Sequence, residues 1–228
     1  MARATQPKGE CAYCGHQTTK AAMTKHLSSC APRKEAIEKA DGKAGEKETL
    51  YHLRVQDAGQ GQFWLDLEMR GSAMLKDLDH YLRAIWLECC GHMSEFSIGG
   101  WGGQKMGMTR RAAQAFAKGV ELTHIYDFGT SSHTLIRAVG TREGRATTSR
   151  PISLMARNLM PESKCIECGE PAACLCLECL IEDDRWGTLC DAHAKTHPHG
   201  ENYGEPLPLV NSPRLGMCGY TGPADPPY

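Results

Sequence analysis

The sequence predicts an α+β fold, a small antiparallel sheet with a packed helix, with a cysteine-rich segment on either side. Three observations carry this. Phe63, Leu65, Leu67 and Met69 alternate with Trp64, Asp66, Glu68 and Arg70, the period-two pattern of a half-buried strand. Met74, Leu75, Leu78, Tyr81, Leu82, Ile85 and Trp86 recur at the spacing of one helix face. Nine of the twelve cysteines fall in two runs, Cys11 to Cys30 and Cys165 to Cys190, so they belong to two compact chemical sites rather than to a chain-wide framework.

Composition bounds the reading. With 41% hydrophobic and 23% charged residues, 24 Gly and 12 Pro over 228 positions, the chain suits a globular protein with generous loops and excludes coiled-coil or collagen-like classes. No apolar run approaches the roughly 18–20 residues of a membrane span, and MARATQPKGE has no signal-peptide core, so a soluble, cytoplasmic protein is expected. The net charge of −1 hides an asymmetry: residues 1–48 and 49–160 each carry +3, and residues 161–228 carry −7. A polyanion would meet the first two segments, and the acidic end would repel it.

Residues 1–32 read as a CCHC-type zinc finger. Cys11, Cys14, His26 and Cys30 follow the pattern C-x2-C-x11-H-x3-C. Histidines interleaved with cysteines, and the absence of an export signal, favour metal ligation over disulfides. TTKAAMTKHLSSC forms a short helix on which His26 and Cys30, at i and i+4, project toward the knuckle. Met23 and Leu27 supply most of the apolar cover, so the ion itself must contribute most of the folding free energy. Lys20 and Lys25 are candidate phosphate contacts, giving nucleic acid as a possible partner of the basic finger. Residues 33–48 are charged and poor in apolar side chains, a helix fraying into a linker.

Residues 49–160 are the α+β domain. Tyr51, Leu53 and Val55 form a strand that pairs with the Phe63–Met69 strand across Gly59-Gln60-Gly61-Gln62. Ser72 caps the helix, which stops at Cys89-Cys90-Gly91; the two cysteines read as buried small apolar side chains. Further strands follow at HIYDFG, SSHTLIRAV and RPISLMARN. Asp127-Phe128-Gly129 matches a kinase signature, but no phosphate loop, strand lysine or catalytic-loop asparagine accompanies it. Gly99-Gly100-Trp101-Gly102-Gly103 lacks phosphate-loop spacing and reads as a flexible turn.

With the hairpin and helix, HMSEFSIGG and LTHIYDFGTSSHTLIRAV resemble the plasmid pRiA4b Orf-three-like family over about residues 48–155, and LPLVNSPRLGMCGYTGP resembles the tail of its zinc-bearing members. The family's histidine-rich turn before Glu-Phe-x-Ile-Gly-Gly is matched by His92, Glu95, Phe96, Ile98, Gly99 and Gly100, and its Tyr-Asp-Phe-Gly-Asp-x-Trp-x-His by Tyr126, Asp127, Phe128, Gly129 and His133. Thr130 and Ser132 replace the usual Asp and Trp. The resemblance implies the fold and an origin on mobile elements or bacterial chromosomes, and implies little about reaction or substrate.

Were His92, Glu95, His124, Asp127 and His133 to converge, they would supply a metal-dependent hydrolase or nuclease. Polar residues at strand ends are the simpler account, since no nucleophile accompanies them.

Residues 161–200 form a Cys/His zinc module. Alternate ligand pairs sharing an ion would cross-brace it: Cys165, Cys168, Cys190 and His193 on one zinc, and Cys176, Cys179, His197 and His199 on the other. A single ribbon site using Cys165, Cys168, Cys176 and Cys179 is the alternative, and Cys174 or Cys218 offers a different register. The order and spacing resemble a B-box, a protein-interaction module, over about residues 163–200. The surrounding Glu167, Glu170, Glu178, Glu182, Asp183 and Asp184 point to a protein partner. Residues 201–228, with six prolines, exclude a long helix. Together these readings predict a non-enzymatic protein with two or three zinc ions and no catalytic residue, acting as a nucleic-acid-binding or protein-interaction adaptor.

Overall fold

In the computed structural model, which describes residues 7–87, 91–116, 119–217 and 220–222, the period-two segments pair as an antiparallel hairpin. The elements run in order β1 (Lys8–Cys11), β2 (Gln17–Thr19), α1 (Lys20–Ser29), α2 (Ala31–Asp41), β3 (Glu48–Asp57), β4 (Trp64–Arg70) and α3 (Leu75–Leu82), which continues as a π-helical turn, Arg83–Leu87. Then come β5 (Ser94–Ile98), β6 (Gln104–Met106), α4 (Ala112–Ala115), β7 (Glu121–Tyr126), β8 (Ser132–Gly144), β9 (Ile152–Asn158), β10 (Cys174–Cys176), α5 (Leu177–Ile181), β11 (Gly187–Leu189), α6 (Asp191–Ala194) and β12 (Leu207–Pro208). The pair Cys89-Cys90 lies outside the described residues. Among those described, no helix is long and apolar enough to cross a membrane.

The mixed fold is as expected, but the sheet is large rather than small: nine strands in the order β2-β1-β9-β4-β3-β8-β7-β5-β6. Two extensions enlarge it. The β5–β6 hairpin adds one edge, and the finger's own hairpin adds the other, because Gly9 to Cys11 pair antiparallel with Asn158 to Ala156. Gly9 is what permits this pairing, since a Cβ there would lie 2.4 Å from the Trp64 ring and 2.5 Å from the Arg157 carbonyl.

One face carries the apolar core. Leu53 and Val55 pair with Leu67 and Leu65, and all four pack in one cluster with Leu78, Leu82, Ile85 and Trp86 from α3 and the turn that extends it. Ser72 does not cap this helix. Its N–H donates to Glu48 Oε2 at 2.9 Å, and the cap is closed from inside the first turn, where Asp77 Oδ2 accepts from the Met74 N–H at 2.7 Å. A carboxylate at that position is a stronger acceptor than a serine hydroxyl two residues further out.

The opposite face departs from the half-buried expectation. Trp64 and Asp66 are wholly buried and Glu68 nearly so, because α1 lies over them with Met23 and Leu27 against Trp64, Met155 and Ala156. The charges on this covered face are paired. Arg54 grips Asp66 with two bonds of 2.8 Å, His52 Nε2 reaches the same carboxylate at 2.8 Å, and Arg54 also donates to Thr24 of α1 at 3.0 Å. Arg142 holds Glu68 at 2.7 and 2.8 Å, with Arg33 of α2 at 3.5 Å. Alternation along β4 therefore separates an apolar buried face from a charged buried face.

The C-terminal segment folds back onto the main core, with Leu175 and Leu215 inside it. Its own sheet has the order β11-β10-β12. Ser212 donates to the Trp86 carbonyl at 2.6 Å, and Arg214, 1% exposed, reaches Asp127 Oδ2 at 3.0 Å and Ser132 Oγ at 2.9 Å.

If the Arg54–Asp66 pair is what fastens finger to sheet, Asp66→Ala leaves a buried guanidinium uncompensated and costs about 3–5 kcal/mol, whereas Arg54→Met with Asp66→Leu recovers most of the loss. Urea denaturation reads both. A loss below about 1 kcal/mol for the single variant would place this pair among exposed, weakly coupled charges.

Candidate metal centres

The twelve cysteines and histidines singled out by spacing come together in three groups of four. These are Cys11, Cys14, His26 and Cys30; Cys165, Cys168, Cys190 and His193; and Cys176, Cys179, His197 and His199. Within each group the potential ligand atoms lie within 4.8 Å of one another. The pairs Cys165/Cys168 and Cys176/Cys179 fall in different groups, as the alternating scheme requires and the single-ribbon scheme does not.

Local structure explains each placement. In the finger, Gly15 at φ +70° turns the chain so that Cys11 and Cys14 face inward, and its N–H bonds the Cys11 carbonyl at 2.9 Å. Thr19 caps α1, accepting from the Ala22 N–H at 3.4 Å. Burying Met23 and Leu27 on the sheet then fixes which way His26 and Cys30 point. In the C-terminal module, Gly169 at φ +77° makes the corresponding turn for Cys165 and Cys168, while Cys190 caps α6, which carries His193. Cys176 caps α5, which carries Cys179, and His197 and His199 return after α6. Gly187 lets β11 come close, for a Cβ there would stand 2.5 Å from the Cys179 Cβ.

The separations suit a tetrahedral ion. Sulfur-to-nitrogen distances are 3.3 Å for Cys14–His26, 3.6 Å for Cys165–His193, 3.3 Å for Cys190–His193, 3.2 Å for Cys179–His197 and 3.8 Å for Cys176–His199. Sulfur pairs stand 4.0 Å apart at Cys11–Cys30 and 3.9 Å at Cys168–Cys190. A tetrahedron with arms of about 2.3 Å to sulfur and about 2.0–2.1 Å to nitrogen has edges of about 3.3–3.8 Å. Disulfide sulfurs would sit about 2.05 Å apart, and every described cysteine is free.

Electrostatics also calls for a cation. Burial pushes the Cys11 thiol up to about 11, against backbone hydrogen bonds from Tyr13 and Cys14, and burial beside Cys176 pushes Cys179 up to about 11. For Cys165 burial works the other way from the backbone hydrogen bonds of Cys190, Glu167 and Cys168, which prevail and bring it to about 6. The backbone hydrogen bond from Glu170 lowers Cys168 in the same group, but burial and the Cys165 and Cys190 thiols outweigh it and push it up, so without a central positive charge each of the three groups would keep a protonated thiol near neutral pH. Around the ligands, His16 stacks on His26 with ring centres 4.5 Å apart, Glu167 lies 3.7 Å from His197 Nδ1, and Arg185 donates to Cys179 Sγ at 3.4 Å. Cys174 stays outside all three groups, half-buried in β10, and Cys218 lies outside the described residues.

The middle-domain histidines and carboxylates do not assemble. His124, fully buried, bonds Asp79 Oδ1 at 2.7 Å; burial depresses its basicity, partly offset by that carboxylate. Burial opposes the Asp79 charge, but His124, Ser94 and Arg83 overcome it and hold the carboxyl well below its usual range. Glu95 pairs with Lys105 at 2.7 Å, His92 approaches Asp127 at 3.7 Å, and His133 stacks beside Trp101 at 6.4 Å. No spacing pattern marks Asp79, which meets His124 because the fold sets α3 against β7, nor Arg214, an isolated arginine in a proline-rich stretch that reaches Asp127. Lys20 is already held by Gln56 at 3.0 Å and the Gly61 carbonyl at 2.9 Å.

Cys176→Ser should lower the metal content by one ion per chain, and Cys174→Ser should leave it unchanged. Elemental analysis of the purified variants distinguishes them, and the opposite pattern would move the ligand register to Cys174.

No family model and no curated protein matches the chain. Among solved structures, the chain is similar to a protein of unknown function, MM3350 from Methanosarcina mazei Go1, at 18% identity and a TM-score of 0.40, over 46% of this chain and 68% of that one.

Proposed function

We propose that the chain is a non-enzymatic zinc protein whose ions are structural and whose role is to present an interaction surface. The observation supporting this most directly is that each group offers four protein ligands and so leaves no position for water or substrate on a tetrahedral ion. Eight sulfurs among twelve ligands favour zinc over the hard cations, which take oxygen. Middle-domain membership of the plasmid pRiA4b Orf-three-like family belongs to the same reading and rests on the motifs around Glu95 and Asp127.

The partner contact falls on the acidic C-terminal module. At the finger, Lys20 is already bonded within the fold, leaving Lys25 as the exposed cation of α1. The module instead exposes Trp186 at 53% and Ile181 at 40%, in a segment of net charge −7. Exposed apolar residues in polar surroundings mark interaction sites.

Protein purified without chelator should carry three zinc ions, and full replacement by cobalt should give the intense visible bands of tetrahedral thiolate sites at all three. Two ions, or a cobalt spectrum showing five-coordinate hydrated metal, would contradict the structural role.

A further inference from the structure

Resting on that reading, we propose that a groove between the sheet and the C-terminal module binds a cationic peptide segment carrying one bulky apolar side chain. The groove encloses about 950 Å³, near the upper end of the roughly 300–1,000 Å³ typical of ligand clefts. One wall is the module, with Leu180, Ile181 and Trp186; the other is built from the β3–β4 and β7–β8 turns, with Gln60, Ser131 and His133. Beyond His133 the wall continues into exposed aromatics, since Trp101 stacks beside His133 and meets Phe128 edge-on with centres 5.1 Å apart.

Charge selects the occupant. Between the lining residues Ile181 and Trp186 the chain carries Glu182, Asp183 and Asp184, all exposed and beside the groove in sequence rather than in its lining; Tyr203 donates to Glu182, and the one cation of this stretch, Arg185, is bound to Asp183 at 3.1 Å and to Cys179. Inside the groove, Arg214 is committed to Asp127, and Lys164 is the remaining lysine or arginine among the described lining residues. A phosphate chain would be repelled by the segment's −7 charge, whereas lysine or arginine side chains are drawn to this acidic stretch and can also lie over Trp186 or Trp101. Trp186 and Ile181 then hold the apolar anchor, because large exposed aromatics dominate interface energetics.

The ions organise this wall. Leu180 and Ile181 directly follow Cys179 on α5, and Trp186 precedes Gly187, the residue packed on Cys179. Removing metal from the Cys176, Cys179, His197 and His199 group should therefore dissolve the peptide site along with the module.

The test is a random dodecapeptide library displayed on phage and selected on the metal-loaded full chain, followed by fluorescence polarisation with the enriched sequence. Selected peptides should carry lysine or arginine around an aliphatic or aromatic residue. Trp186→Ala should weaken their binding by at least about tenfold, and Glu182→Lys with Asp183→Lys should weaken it and flatten its salt dependence. Enrichment without basic residues, unchanged binding to both variants, oligothymidylate binding tighter than peptide, or Trp186-dependent dimerisation would each overturn the proposal. Metal content measured on the same samples separates the two claims. Three ions per chain without a Trp186-dependent peptide removes the groove alone, and fewer than three removes the structural-zinc reading beneath it.

Discussion

Thiolates gathered within 4.8 Å of one another repel, and they stay ionised together only if a cation stands between them. That constraint organises both ends of this molecule. The finger has two wholly buried apolar side chains in α1, Met23 and Leu27, and the C-terminal module packs chiefly cysteine side chains around Leu189. Neither buries enough apolar surface to offset the entropy of ordering its turns. In the structural-metal reading proposed above, ligand binding to an ion supplies the missing free energy.

On that reading, what the ions would hold in place is more than two small folds. Once closed, the finger offers β1 to the sheet edge at β9 and lays α1 over Trp64, Asp66 and Glu68. Once closed, the module presents Leu175 to the main core and threads the tail so that Arg214 arrives at Asp127. The nine-stranded sheet and its two buried faces thus depend on two segments far apart in the chain, each carrying Cys/His groups able to hold a metal. Buried pairs such as Arg54–Asp66 act at the junction, where their cost of desolvation is offset by forked geometry and by the specificity with which they seat α1.

The three Cys/His groups were legible because metal-ligand spacing is local: knuckle, helix and return lie within about twenty to thirty-five residues, and the i, i+4 spacing of His26 and Cys30 is visible without a fold. The β3–β4 hairpin and α3 were legible from their periods. The covered charged face was not, since Asp66 and Glu68 read as solvent-facing until a separate helix is placed over them. Ser72 has the position of a cap but not the role for a related reason, since Asp77 supplies the cap from within the turn. His124 and Asp127 were visible as polar residues at strand ends, but their partners Asp79 and Arg214 are distant in sequence and carry no pattern.

The most direct measurement of the central claim is X-ray absorption at the zinc edge on the purified protein. Closed sites require a first shell averaging eight sulfurs to four nitrogens over the three ions, the ratio in the ligand groups, with imidazole scattering and no oxygen. An oxygen shell at about 2.0–2.2 Å, or sulfur-to-sulfur scattering at disulfide distance, would contradict it.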